Sequence, residues 1–277
     1  SKGDIILVPN PSYPIHPYGF LIAGAIVKRI NMSEEDVFLK NLVKNIRKYK
    51  GRIKAVVINY PNNPTAKVVD LCFYEELVKI CKNNNIWILS DLAYAEIYFN
   101  NLPPPSILQV KDAKKIAVEF SSMSKTFNMP GWRIGFASGN SVLISALARI
   151  KSYLDYGAFT PIQVAATAAL NGPQSFIDDI REVYKKRRDV LIETMKRSGW
   201  DIPVPEATMF AWAPIPKKYQ SKGSIYFTKI LLKKAALAVS PGIGFGSNGD
   251  KHVRISLVEN EQRIRQAARN IKNNLSF

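Results

Sequence analysis

Lys125 sits in the stretch Phe120–Phe136, which reads FSSMSKTFNMPGWRIGF, just past the apolar run Ile116–Phe120. A lysine amine attacks an aldehyde only as the neutral base, so its pKa must fall through burial or a neighbouring cation. The apolar surround and Arg133 could supply both. Ser122, Ser124 and Arg133 add hydroxyl donors and a permanently charged fork, the groups that hold a phosphate. Taken alone, Lys125 is better explained as a lysine snorkelling from a strand end.

Asp91 ends a second apolar run, within SDLAYAEI. A buried carboxylate at such a point can keep a heteroaromatic ring nitrogen protonated, and Tyr94 nearby can donate a phenol hydrogen bond. A capping Asp and a core Tyr account for the same two residues. Asn63 lies in a Pro-rich turn after a third apolar run, where an amide can face a ligand or simply shape the turn. Tyr13, held between Pro11 and Pro14, offers a rigid aromatic face. Arg254 interrupts the apolar run HVRISL, and a buried arginine needs an anion, either a substrate carboxylate or an internal acid.

The elements that would position these residues alternate between strand and helix patterns. Strands are expected at Ile5–Val8, Ala25–Ile30, Lys54–Asn59, Ile86–Ser90, Lys115–Phe120 and Arg133–Ser138. Helices between them are signalled by apolar spacing and by caps, with Asp70 before Leu71, Tyr74, Leu77, Val78 and Cys81, and Ser33 before an acidic first turn (Glu34, Glu35, Asp36). The expected class is α/β, a three-layer, mostly parallel sheet with helices on both faces. Open sheets of this kind bind ligands beyond the C-terminal ends of their strands, where several of the polar residues above fall. Asn171-Gly172-Pro173 breaks the pattern, and one long charged helix runs from about Gln174 to Arg197. Beyond it the pattern is α+β, with strands at Met209–Ala213, Leu237–Ser240 and Val253–Leu257. The expected division is a large domain over residues 1–174 and a small one over 175–277.

Composition narrows the function. The 277 residues are 47% hydrophobic with a net charge of +17. The cations are spread over many helices, with no interleaved aromatic stripe, and the run Lys185–Arg188 lies mid-helix beside Glu182 and Asp189. A solvated basic face is expected, not a nucleic-acid site. Cys72 and Cys81 are too far apart on one helix for a disulfide and lack metal-site spacing. No run spans a bilayer and no signal peptide is visible, so a reduced, cytoplasmic protein is expected.

The joint order of these residues resembles one family, the fold type I pyridoxal-phosphate enzymes, aminotransferase class I/II. The resemblance runs from Gly3 to the C-terminus and rests first on Ser-x-Ser-Lys followed by Gly-x-Arg-x-Gly, Ser122 to Gly135. It implies that Lys125 carries pyridoxal 5'-phosphate as a Schiff base and that Asp91 holds the ring nitrogen. Tyr94 and Asn63 would hold the ring hydroxyl, Ser122 and Arg133 with Ser124 the phosphate, and Tyr13 would stack on the ring. Arg254 would take the substrate α-carboxylate, with Asn63 beside it.

Within the family, VPNPSYPIH, NNPTA, DLAYAEI, GWRIGF and SPGIGFG are most similar to bacterial alanine (glutamate–pyruvate) transaminases. That likeness implies ping-pong transfer of an amino group between an L-amino acid, alanine favoured, and a 2-oxo acid, by a homodimer acting on small molecules. Aspartate transamination and pyridoxal-phosphate-dependent β-elimination are the enzymatic alternatives. Most of the wider family has glycine where this chain has Ala66, a substitution shared by the alanine-transaminase subgroup. Family members also carry a segment ahead of the strand matched by Ile5–Val8, with an arm, an edge strand and a helix start that wraps the phosphate. An N-terminally truncated form is therefore expected, and an inactive fragment or non-catalytic binding module is the alternative from a different class.

Overall fold

The computed structural model describes residues 2–32, 35–100 and 102–275. The cap expected at Ser33 and Glu34 lies outside the described residues. Six strands form the main sheet: β1 (Ile5–Asn10), β2 (Ile26–Asn31), β3 (Ile53–Asn59), β4 (Trp87–Asp91), β5 (Ala117–Ser122) and β6 (Gly135–Gly139). Their order is β2-β1-β3-β4-β5-β6; the first five are mutually parallel and β6 runs antiparallel to β5.

Helices α1 (Ile15–Ile22), α2 (Glu35–Tyr49) and α3 (Leu71–Asn83) make the crossovers from β1 through β4, while the β4–β5 connection carries only the 3-10 turns Ile107–Gln109 and Ala113–Lys115. The short α4 (Met123–Thr126) follows β5, and α5 (Ser141–Leu154) and α6 (Thr160–Asn171) follow β6. On one sheet face Ile5, Leu7, Val56, Ile58 and Ile88 pack with Phe38 and Leu42 of α2 and with Phe73, Tyr74 and Leu77 of α3. On the other, Ile6, Val8, Ala55 and Val57 meet Phe20 of α1. That two-sided burial explains why β1 and β3 read as unbroken apolar runs. Asp70 caps α3 by accepting from the Phe73 amide, as its position predicts. Helix α5 starts at Ser141, capped by Asn140, whose side chain accepts from the Val142 and Leu143 amides.

The long helix α7 (Ser175–Arg197) leads into a second core. There β7 (Phe210–Pro214), β9 (His252–Ser256) and β8 (Ser240–Pro241) form an antiparallel sheet, ordered β7-β9-β8. The short α8 (Lys217–Gln220) precedes α9 (Gly223–Ala235), and α10 (Glu261–Asn274) closes the chain. Trp200, Phe227, Leu231, Val253, Ile264 and Ile271 are buried together in this core with Leu191 and Met195 of α7. Ile97 and Phe99 join it from the first half of the chain, hydrogen-bonded through the Thr208 amide and the Glu206 carbonyl. The strand expected at Leu237–Ser240 shrinks to Ser240–Pro241. Leu237 and Val239 are spent on packing against this core, and Pro241 has no amide hydrogen to extend the ladder.

Among the described residues no helix is long and apolar enough to cross a membrane, and no cluster could hold a metal ion. Cys72 is exposed and Cys81 buried, both free.

Candidate active site

The C-terminal ends of β1, β3, β4 and β5 lie along one edge of the main sheet, and Arg254 of the small sheet reaches that edge through Asn63 in the turn after β3. In β9, Val253 and Ile255 are buried in the second core, so alternation turns Arg254 toward the main sheet. Its guanidinium donates to Asn63 Oδ1 at 2.7 Å and to Ser240 Oγ at 3.4 Å. It lies 4.0 Å from the Phe210 ring centre and 4.6 Å from that of Phe245, a cation held between aromatic faces. Burial lowers its pKa from the ordinary arginine value, while Tyr94 and Tyr13 pull it back up. Among the described residues no carboxylate pairs with it.

Asn63 also donates to the Tyr94 hydroxyl at 3.5 Å, which links Arg254 to the strand-end loop after β4. Tyr94 is buried against Phe210, and burial pushes its phenol well above the usual range, so it stays a proton donor. Lys125 Nζ lies 6.0 Å from the Tyr94 ring centre. The Lys125 amine is half-buried, and that burial lowers its pKa, aided by the Arg133 charge and opposed by Asp91. The pattern anticipated both lowering causes.

Ser122 ends β5 and caps α4, its Oγ accepting from the Ser124 amide at 3.2 Å; Ser124 itself is buried under the helix turn. Arg133 is in the left-handed region, φ 52° and ψ 47°, after the Pro130–Trp132 turn. A non-glycine residue there costs about 1 kcal/mol or more, and here it folds the guanidinium back onto the Pro130 carbonyl at 2.9 Å. Gly135 is obligatory for a different reason. A Cβ there would collide with the Ser121 carbonyl of the paired strand. Ala66 has φ 59°, which explains a glycine preference at this position; the alanine sits buried, its amide bonded to the Asn62 carbonyl.

Two further residues, His16 and Asn59, belong to the site and are not among those the sequence singled out. His16, in the first turn of α1, is buried, and its Nε2 lies 2.9 Å from Asp91 Oδ2. Asp91 Oδ1 accepts from the Ala93 amide. Tyr13 meets the His16 ring edge-on at 5.9 Å and remains 42% exposed, which leaves a face free over the cleft. Asn59, at the end of β3, donates to the Asp91 and Pro61 carbonyls and accepts from the Asn63 amide. A histidine close behind the Pro-flanked Tyr13 was the available clue. Nothing local announced Asn59.

Lys125, Arg133 and Arg254 are thus three cations around a cleft whose described carboxylate is Asp91. None of the three pairs with a carboxylate among the described residues. Such an excess suits a ligand with several negative charges and a flat ring, with amine, carboxylate, phenol and guanidinium all present. The donor set fits a phosphorylated aromatic aldehyde.

Comparison with known proteins names that family. Residues 1–271 match the family described as aminotransferase class I and II. The chain belongs to the class I and II aminotransferases. Their cofactor is pyridoxal phosphate. The chain is 56% identical over its whole length to AatC of Rhizobium meliloti (strain 1021), which is named as an aminotransferase, and covers 68% of that protein. It is 52% identical, over 98% of its length and 66% of the relative's, to the glutamate-pyruvate aminotransferase AlaC of Escherichia coli (strain K12). Further relatives, 38% to 43% identical, are named LL-diaminopimelate aminotransferases. Substrate-bound BacF of Bacillus subtilis superposes with a TM-score of 0.93 at 37% identity, over 99% of this chain and 69% of that one. The aminotransferase chain described here therefore spans about two thirds of the length of these relatives.

Proposed function

We propose that this chain is the catalytic part of an enzyme that moves an amino group between an amino acid and a 2-oxo acid, with Lys125 as the amine at its centre. The observation that carries this reading is the setting of Lys125: half-buried, lowered in pKa, between Arg133 and Asp91, and linked through Tyr94 and Asn63 to a carboxylate-free Arg254. Pyridoxal phosphate, when bound, supplies the aldehyde and the electron-withdrawing ring that loosen the substrate Cα–H bond.

The chain's own groups then have separate tasks. Neutral Lys125 Nζ would take the proton from substrate Cα and give it to the cofactor's aldehyde carbon, a transfer that needs an amine uncharged near neutral pH. Asp91, braced by His16 and the Ala93 amide, holds a proton on the ring nitrogen. Tyr94 and Asn63 donate to the ring oxygen; Ser122 and Arg133 grip the phosphate, with Ser124 in the turn beneath them. Tyr13 stacks on the ring. Arg254 orients the substrate by its carboxylate through a two-pronged contact. The main sheet and the second core act as the large and small domains of one site.

Alanine with 2-oxoglutarate is the favoured pair, supported by the likeness to AlaC. The LL-diaminopimelate names support a competing donor with a longer, charged side chain. We also propose a homodimer: Tyr153, Leu154, Tyr156 and Phe159 form an apolar surface of the kind that a second copy covers.

Protein loaded with pyridoxal phosphate and given alanine and 2-oxoglutarate should yield pyruvate and glutamate in equal amounts, and sedimentation should report two chains. Absence of any 2-oxo-acid-dependent transfer, with alanine, aspartate or LL-diaminopimelate, overturns the reading. Pyruvate and ammonia released from cysteine-type substrates without an acceptor would replace it with β-elimination.

A further inference from the structure

The loop between β8 and β9 is tied to the C-terminal ends of β1 and β2, with most of the bonds made by Asn10. Asn10, buried at the C-terminal end of β1, donates from Nδ2 to Ser247 Oγ at 3.0 Å. Its Oδ1 accepts from the Asn248 amide at 3.3 Å, and its carbonyl accepts from Asn248 Nδ2 at 3.4 Å. The Phe245 carbonyl, just before, accepts from the Ser12 amide at 2.9 Å and from Arg29 at 3.3 Å. Gly246 lies between these contacts at φ 130°, and a Cβ there would strike Asn10 Oδ1 and the Arg29 guanidinium. The loop cannot approach Asn10 so closely with any other residue at that position.

What this loop carries is Phe245. Its buried ring lies 4.6 Å from the Arg254 guanidinium and packs edge-on against Trp212 at 5.8 Å. Arg254 otherwise has Phe210 on the opposite strand and bonds to Asn63 and Ser240. Phe245 therefore limits where the guanidinium can turn and covers part of it. A charge pair formed in such a partly buried setting is stronger than one in water.

We propose that Asn10 is a positioning residue for the carboxylate grip: it latches the 245–248 loop to the end of β1 and thereby fixes Phe245 against Arg254. Asn10 touches neither substrate nor cofactor. Its effect on ligand binding travels through one aromatic ring. This rests on the reading that Arg254 takes the substrate carboxylate, and deepens it by naming what sets the arginine's geometry.

Two measurements on the full chain test the latch without requiring turnover. The first is the NMR position of the Arg254 Nε–Hε signal, displaced by the ring currents of Phe210 and Phe245. The second is the calorimetric Kd for pyruvate. Asn10→Ala should move the signal toward its unshifted position and weaken pyruvate about fivefold, the scale of one lost cation–aromatic contact. Asn10→Asp, which keeps the acceptor for the Asn248 amide and can accept from the Ser247 hydroxyl, should restore both. In a Phe245→Leu background Asn10→Ala should add nothing further. If Asn10→Ala does not fold, Ser247→Ala removes the same hydrogen bond from the exposed side and should shift both readouts in the same direction. An unmoved Arg254 signal in the folded variant, or full additivity with Phe245→Leu, overturns the latch. Pyruvate affinity that survives Arg254→Lys overturns the carboxylate reading and the proposal with it. Failure of the transamination reading would instead appear as absent amino transfer, with these two readouts unaffected.

Discussion

The two ends of the cleft are built to different standards. At the Arg254 end both terminal nitrogens are engaged before a ligand arrives: Asn63 and Ser240 accept their hydrogen bonds, and two aromatic rings flank the charge. At the Lys125 end the cations stand apart. Among the described residues the exposed Arg133 bonds only to the carbonyl of its own turn, and Lys125 pairs with no carboxylate. On the proposed function, the first end is preorganised for a small carboxylate that comes and goes, and the second is organised by the anion it holds. Pre-set geometry lowers the cost of each binding event, whereas a resident group can complete its own site once.

That contrast can be broken in several places. Lys125→Ala should lower amino transfer roughly a thousandfold and abolish borohydride-fixed label on the chain, read by peptide mapping. Arg254→Lys keeps the charge but loses the fork. It should raise KM for both amino and 2-oxo acids roughly a hundredfold, with a smaller change in kcat. Gly135→Ala should destabilise the protein by about 2 kcal/mol in urea unfolding, because the added carbon must push β6 from the Ser121 carbonyl. It should also loosen phosphate binding without altering pyruvate affinity.

The Lys125 amine gives a pH test with a defined sign. Its pKa lies below that of an ordinary lysine, so labelling by an uncharged aldehyde should rise with pH through a midpoint lower than that of surface lysines. Arg133→Gln removes a cation and should move the midpoint up; Asp91→Asn removes the anion that favours the charged amine and should move it down. The smallest effect expected is that of Tyr13→Leu. Loss of an exposed stacking face should weaken cofactor binding by about threefold, measured by absorbance titration.

Most of this contrast follows from how far apart in sequence the interacting groups lie. Ser122, Lys125, Arg133 and Gly135 share one strand–turn–strand unit, so their nearness to one another could be read from spacing. The main sheet was legible for a similar reason, since β1, β3 and β4 are apolar runs ended by polar turns. The Arg254–Asn63 bond joins residues 191 apart, and His16 meets Asp91 across 75. Each half of those pairs looked odd or ordinary by itself, and only the fold joins them. Glu119 shows the same limit. It stands mid-strand in β5, buried, and is made tolerable by Ser90, Ser106 and the Ile107 amide, none of which neighbours it in sequence. The shortened β8 was missed because Leu237 and Val239 carry strand-like side chains but serve the core beneath.

Asn59 sets a limit on motion across the cleft. One side chain, bonded at once to the Asp91 carbonyl, the Pro61 carbonyl and the Asn63 amide, fastens the end of β4 to the turn after β3. Asp91 and Asn63 therefore behave as marks on a single ruler. On the proposed function, one amide gauges the distance between the group that faces the ring nitrogen and the foot of the carboxylate grip, and resists its change as ligands of different size pass through. Any accommodation has to come from the Arg254 side of the bond it shares with Asn63. A substitution at Asn59 would detune both ends of the cleft together while touching neither ligand.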